Sequence, residues 1–218
     1  MATSSTCLKR GSCGDIVLMQ RGGDVCIIRD LRQARRGCRL IARMLARREA
    51  RALERLADVE GIPMLIGLKR GQLLREYIDG RPMHDYRPDS LAVFRNALRV
   101  LRRVHRSGVT HNDLAKEANW ICQATDEVGI VDFQLASCFS HRSRRFRRLA
   151  REDLRHLLKH KACYMPDALT ARQRAMLANP SIAARLWRRL FKPPYHLLTR
   201  TILRWPERIG AAERQRQV

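Results

Sequence analysis

HNDLAKEANWICQATDEVGIVDFQ, residues 111–134, decides how the rest of the chain is read. It opens on His111-Asn112-Asp113-Leu114, continues to Asn119, and closes on Val131-Asp132-Phe133-Gln134. Between these polar clusters, Trp120–Gln123 and Val128–Val131 read as short strands joined by a turn at Asp126-Glu127. Phosphoryl transfer needs few protein parts. One carboxylate orients the attacking hydroxyl and takes its proton, and a second, helped by an Asn, holds magnesium. Asp113, Asp132 and Asn119 supply those residue types in one stretch.

Upstream, the pattern changes from strands to helix and back. Residues 7–30 read as β structure: Ile16–Met19 and Val25–Ile28 flank a Gly22-Gly23-Asp24 turn, as in a hairpin. Gly11-Ser12-Cys13-Gly14 precedes them. Residues 38–57 read as a helix with Leu45, Ala52, Leu53 and Leu56 at helical spacing. Glu49 falls on that same apolar stripe. A carboxylate facing a core needs a cation or donors. Gly61-Ile62-Pro63 ends the helix, and Met64–Leu68 and Leu73–Ile78 follow as two further strands.

Asp79-Gly80-Arg81-Pro82 has turn or linker composition, and the boundary between two lobes is expected there. Residues 90–107 form a second helix, with Leu91, Leu98, Leu101 and Val104 on one side and Gly108 as its stop. Residues 142–161 are strongly basic and helical in part. The order is strands, helix, strands and then mostly helices, which specifies an α+β protein of two lobes. The expected division is 1–80, 81–180 and a basic amphipathic tail, 181–218.

The totals narrow the function classes. Lys and Arg number 44 against 21 acidic residues, a formal charge of +23, so the surface attracts polyanions. Nucleic acid, anionic lipid and phosphorylated glycolipid share the phosphate groups such a charge meets. The seven cysteines include no C-x-x-C pair and no His-Cys cluster of zinc spacing, so they read as small buried hydrophobes in a reducing compartment. The N-terminus lacks a signal-peptide core, and no window approaches the roughly 18 apolar residues of a membrane span. A cytoplasmic protein is expected, able to rest on the inner face of a membrane.

The segment 111–134 resembles the H-R-D-L-x-x-x-N catalytic loop and D-F-G metal loop of protein kinases. With REARAL in the first helix and HNDLAKEANW before VDFQLA, the chain is similar to bacterial RIO-like and lipopolysaccharide-core kinases over roughly residues 8 to 165. The resemblance implies a protein-kinase-like fold, with a small β-rich N-lobe carrying one helix and a mainly helical C-lobe. It implies ATP and Mg2+ as cofactors. Asp113 would be the catalytic base, and Asn119 and Asp132 the magnesium ligands. Glu49 would pair with the strand cation, Gly11 and Gly14 would belong to a reduced glycine loop, and Glu76-Tyr77-Ile78 would be the hinge touching adenine.

This sequence departs from the kinase pattern in three places. The strand lysine is Arg29, which keeps the charge but replaces a compact ammonium with a planar fork. Asn119 stands six residues after Asp113, one more than the pattern has, so the loop bulges or the ligand lies elsewhere. Gln134 replaces the metal-loop glycine and removes a freely turning position.

By resemblance the acceptor is a lipopolysaccharide-core sugar or a related membrane glycolipid, or a protein Ser/Thr. Arg142–Lys161 follows the metal loop, where kinases receive acceptors, and reads equally as a solvated basic face. From Ser181 to Trp205, arginines alternate with Trp187, Phe191, Tyr195 and Leu197, which suits a lipid headgroup layer or packing on the large lobe. Two other functions compete: a pseudokinase that binds without fast chemistry, and an RNA- or ribosome-associated basic protein. The latter ranks lower, because the sequence holds no compact nucleic-acid motif.

Overall fold

A computed structural model describes residues 3–21 and 23–178. The expected basic tail, 181–218, lies outside the described residues. The N-terminal region is a five-stranded antiparallel sheet: β1 Thr3–Lys9, β2 Asp15–Arg21, β3 Asp24–Asp30, β4 Leu65–Lys69 and β5 Gln72–Glu76, in the order β1-β2-β3-β5-β4. The β2–β3 hairpin is the one expected from the glycine turn, in register Val17 to Ile28 and Met19 to Cys26. β1 extends the sheet beyond the expected strands and pairs with β2 from Thr3 to Lys9.

Helix α1, Arg39–Arg55, packs on this sheet. Its apolar spacing buries Ala42, Ala46, Ala50 and Leu53, and the same stripe carries Glu49 fully inside. Small alanines let the helix approach closely, and Ala42, Ala46 and Ala50 share a cluster with Leu31 and Leu73. Leu53 and Leu56 reach instead into the larger core below.

The C-terminal part is mainly helical. β6, Arg81–Pro82, leads into a single helical turn, α2, Met83–Tyr86. Helix α3, Leu91–Arg106, starts where the Ser90 hydroxyl accepts the Ala92 N–H at 3.0 Å, an N-cap. It buries Val93, Phe94, Ala97, Val100, Leu101 and Val104 and ends at Gly108, whose φ of +73° suits glycine. β7 (Val109–Thr110), β8 (Trp120–Cys122) and β9 (Val128–Ile130) frame the decisive stretch, and β10 (Ser137–Cys138) pairs back with β7. Helices α4, Arg144–Tyr164, and α5, Ala171–Ala178, complete the described chain. Trp120, Leu114, Ile130 and Phe133 are enclosed in this core, so the polar ends of the stretch 111–134 rest on apolar anchors. All seven cysteines are free. No helix among the described residues is long and apolar enough to cross a membrane.

Candidate active site

The N-terminal half of the site is a buried cluster of charges. Arg29 on β3 stands opposite Leu73 of β5, and strand alternation places Leu73 and Arg75 on the same buried face. The Nε atoms of Arg29 and Arg75 lie 3.4 and 3.5 Å from the two oxygens of Glu49. Burial pushes the Glu49 carboxyl up from its usual range, and the two guanidiniums pull against it. Burial likewise lowers the Arg75 guanidinium, with Glu49 opposing. Arg29 also reaches across to the other half: its Nη2 lies 3.3 Å from Asp132 Oδ1. One planar fork thus faces two carboxylates from different regions of the chain.

The C-terminal half is built on two left-handed residues, Asn112 at φ +67° and Asp132 at φ +69°. Such a backbone is uncommon outside glycine and persists when its surroundings fix it. Here they do. Asp153 of α4 accepts the N–H groups of His111 at 2.8 Å and Asn112 at 2.9 Å. The Asn112 amide donates to Leu135 O and Ser137 Oγ, and the His111 ring lies 3.0 Å from Val131 O. Leu114 O receives both Trp120 Nε1 at 3.2 Å and His160 Nε2 at 2.8 Å. One face of α4, through Asp153 and His160, therefore carries the loop around Asp113.

Asp113 is mostly enclosed. Burial raises its carboxyl, Lys116 opposes, and the nearby negative charge of Asp132 raises it further. Lys116 Nζ lies 2.5 Å from Asp113 Oδ2. Asn119 Nδ2 donates to the Asp113 carbonyl at 2.9 Å and stands 3.4 Å from its Oδ2. The additional residue before Asn119 is absorbed in a 3-10 turn, Glu117–Asn119, with Asn119 N–H donating to Lys116 O. The bulge expected from the spacing is this turn.

Burial acts to raise the Asp132 carboxyl, but Arg29, Lys116, His111 and Arg75 outweigh it and hold the group below its usual range. Gln134 Nε2 donates to Asp132 Oδ1 at 2.8 Å, so the residue in place of glycine steadies this side chain. Val131 N–H donates to Asn119 O at 3.0 Å, which ties the two loops together. An anionic carboxylate and an amide oxygen donor are hard ligands, suited to magnesium. Among the described residues no group of three His, Cys, Asp or Glu could hold a metal alone. The pair therefore fits a cation that takes its remaining ligands from water and phosphate.

The other expected residues stand around this cluster. Gly14 has φ +113°, and a Cβ there would come 2.5 Å from Asp30 O, so the turn from Gly11 to Gly14 lies flat on β3. Cys13 in that turn feels Arg29: burial raises its thiol, Cys38 adds to this, and the guanidinium lowers it. Glu76 ends β5 with its carboxylate accepting Met64 N–H at 3.1 Å, so that side chain serves the sheet. Ile78 packs over Gly129 of β9, where a Cβ would meet its Cδ1 at 2.9 Å. The structure thus gathers Arg29, Glu49, Asp132, Asp113 and Asn119, and places Gly11 and Gly14 in the turn between β1 and β2, Glu76 at the end of β5 and Ile78 in the segment after it, against β9. Arg75, Lys116, Asp153 and His160 join the site without having been singled out from the sequence.

A five-stranded sheet with one helix, a helical lower part, and facing aspartates on two tied loops define a protein-kinase-like protein of the ATP-dependent phosphotransferase class. More narrowly, the chain belongs to the RIO domain family, whose model matches residues 26–172. Among solved structures it is similar to a Rio2 kinase from Chaetomium thermophilum, described as an ADP/Mg2+-phosphoaspartate complex. That match has a TM-score of 0.59 at 14% identity and covers 94% of this chain and 71% of the other. No curated protein sequence matches significantly.

Proposed function

We propose that the chain uses ATP with Mg2+ to phosphorylate a hydroxyl of an anionic acceptor. The acceptor is a lipopolysaccharide-core sugar or related glycolipid, with a protein Ser/Thr as the variant that RIO relatives suggest. The observation that carries this reading is the pairing of Asp113, held by Lys116 and Asn119, with Asp132, held by Arg29 and Gln134. Asp113 would orient the acceptor hydroxyl and take its proton, and Lys116 would steady the carboxylate while it does so. Asp132 and Asn119 would hold magnesium, which neutralises charge on the transferring phosphoryl group. Arg29, positioned by Glu49, would face the phosphates from the sheet. Gly11 and Gly14 would cover the nucleotide, and Glu76 to Ile78 would meet adenine. In this reading 1–80 binds nucleotide, 81–180 carries the chemistry and 181–218 is a lipid-facing tail.

The anionic acceptor is supported by exposed Arg142, Arg144, Arg145, Arg147 and Arg148, which begin only ten residues after Asp132. The Rio2 kinase structure, solved with ADP and Mg2+, supports the cofactors. The experiment is ATP turnover by purified protein with magnesium, comparing wild type with Asp113→Ala and Asp132→Ala. Removing a general base costs about 10²–10⁴-fold. Equal near-zero turnover in all three would sink the reading.

A second reading, a pseudokinase, has one observation in its favour: Arg29 and Gln134 both contact Asp132 Oδ1, so one oxygen of the residue that would hold the metal is already engaged. It predicts weak or metal-independent nucleotide binding. Tight magnesium-dependent ATP binding by calorimetry decides against it.

A further inference from the structure

The outward face of α1 is unusual in composition. Arg39, Arg43, Arg47, Arg51 and Arg55 recur every four residues, Arg48 adds a sixth, and all are exposed. The same face presents Leu40 at 78% exposure, Met44 at 56% and Ile41 at 51%. Its one acid is Glu54, since Glu49 points inward. Arg48 and Arg55 are tied to the chain through Ala136 O and Ser107 O. Arg39, Arg43 and Arg47 form no ion pair among the described residues. Exposed Arg35 and Arg36 continue the basic surface upstream.

We infer that this face of α1 is a docking surface for an anionic lipid bilayer. Arginines and bulky aliphatics on one convex ridge match a layer with phosphates outside and hydrocarbon beneath. Phosphates would meet Arg39, Arg43 and Arg47, while Leu40, Ile41 and Met44 enter between headgroups. Charge argues against two other occupants. A second copy would bring the same arginines against these. Residues 179–218 carry eight arginines and one lysine against two glutamates, so they repel the ridge as well. Nucleic acid would satisfy the arginines but leaves the aliphatics without a partner.

Docking there leaves the cluster inside undisturbed. Leu40 and Glu49 are nine positions apart, which puts them on opposite sides of the helix. The surface is independent of the proposed chemistry and can be tested without it.

The test is flotation of the full chain with phosphatidylcholine vesicles, with and without phosphatidylglycerol. Wild type should float only with the anionic vesicles. Leu40→Gln/Met44→Gln should weaken that binding about tenfold, each partly exposed aliphatic contributing a fraction of its burial energy. Arg39→Gln/Arg43→Gln/Arg47→Gln should weaken it about a hundredfold, at about fivefold per arginine. Unchanged circular dichroism melting shows that both variants fold. An RNA duplex and light scattering serve as the competing arms. Three results would each overturn the assignment: no flotation of wild type, equal flotation of wild type and both variants, or loss of RNA binding or self-association in their place. Equal flotation would locate membrane binding in the tail.

Discussion

Glu49 and Asp153 are both fully buried carboxylates, and the protein holds them by different means. Glu49 lies between two guanidiniums at 3.4 and 3.5 Å, and neither of its oxygens receives a donor in hydrogen-bonding geometry. Asp153 accepts two backbone N–H groups at 2.8 and 2.9 Å and faces His105 Nε2 at 3.2 Å. Charge attraction is only weakly directional, whereas amide hydrogen bonds weaken steeply once bent. The sheet half of the site is thus held by attraction that tolerates small rotations. The loop half is fixed to α4 through its backbone. This is the arrangement expected where a nucleotide must enter against a rigid catalytic loop.

The largest effect should come from removing the rigid support. Asp153→Ala leaves the buried His111 N–H and the partly buried Asn112 N–H without an acceptor, at roughly 1–3 kcal/mol for a buried group and less for the other, and frees the left-handed Asn112. Urea denaturation should show a loss of about 2–5 kcal/mol, with Asp153→Asn losing less because one acceptor oxygen remains. A midpoint unchanged by Asp153→Ala would break the comparison at its stronger end.

Glu49→Gln should cost about 3 kcal/mol, because it leaves buried Arg75 without its carboxylate partner and leaves Arg29 with Asp132 alone. Its double variant with Arg75→Met should regain part of that loss, since the cation left without a partner is gone. Strict additivity of the two substitutions in denaturation would show that the charges do not act as a unit.

How far these supports could be read in advance differs with their sequence range. Glu49 was legible because a carboxylate on an apolar stripe calls for a cation, and local periodicity exposes the stripe. Asp113, Asn119 and Asp132 were legible because the motif is local. Arg75 was hidden in LLREY, where the signal is its place two residues after buried Leu73 on one strand face. Asp153 acts across 41 and 42 residues, in a helix so basic that the adjacent acids Glu152 and Asp153 read as solvated neighbours. The signal was its spacing to Leu157 and His160, four and seven residues on, which turns all three inward. β1 escaped because Thr3–Lys9 is polar and gains strand character only by pairing with β2.

Acid separates α4 from the metal loop within the C-terminal half. Burial lowers the His156 imidazole on α4 to about 4, with Lys159 adding to the shift. The unfolded chain, with an ordinary His near 6.5, binds the proton first. This contribution is therefore complete above about pH 6.5 and declines toward pH 4, by up to about 3 kcal/mol. Asp132 is lowered below the carboxylate range, so its contribution is present above an ordinary Asp value near 3.9 and is lost only on further acidification. Stability measured from pH 7 to 4 should fall through α4 first, and His156→Gln should flatten that fall.

Arg29→Lys should disturb stability least, by under about 1 kcal/mol, since an ammonium keeps the charge beside Glu49. Its informative readout is turnover. Arg29 faces Glu49 with Nε and Asp132 with Nη2, and a single ammonium cannot hold both contacts in that geometry. If the guanidinium is what joins the sheet to the metal loop, lysine should lower turnover about tenfold, the equivalent of roughly 1.4 kcal/mol in the barrier. A rise would mean the opposite: that Arg29 occupies Asp132 at the expense of magnesium. The charge-held half of the site would then be a brake on the chemistry, and the pseudokinase reading, which expects no gain of activity from Arg29→Lys, would fail.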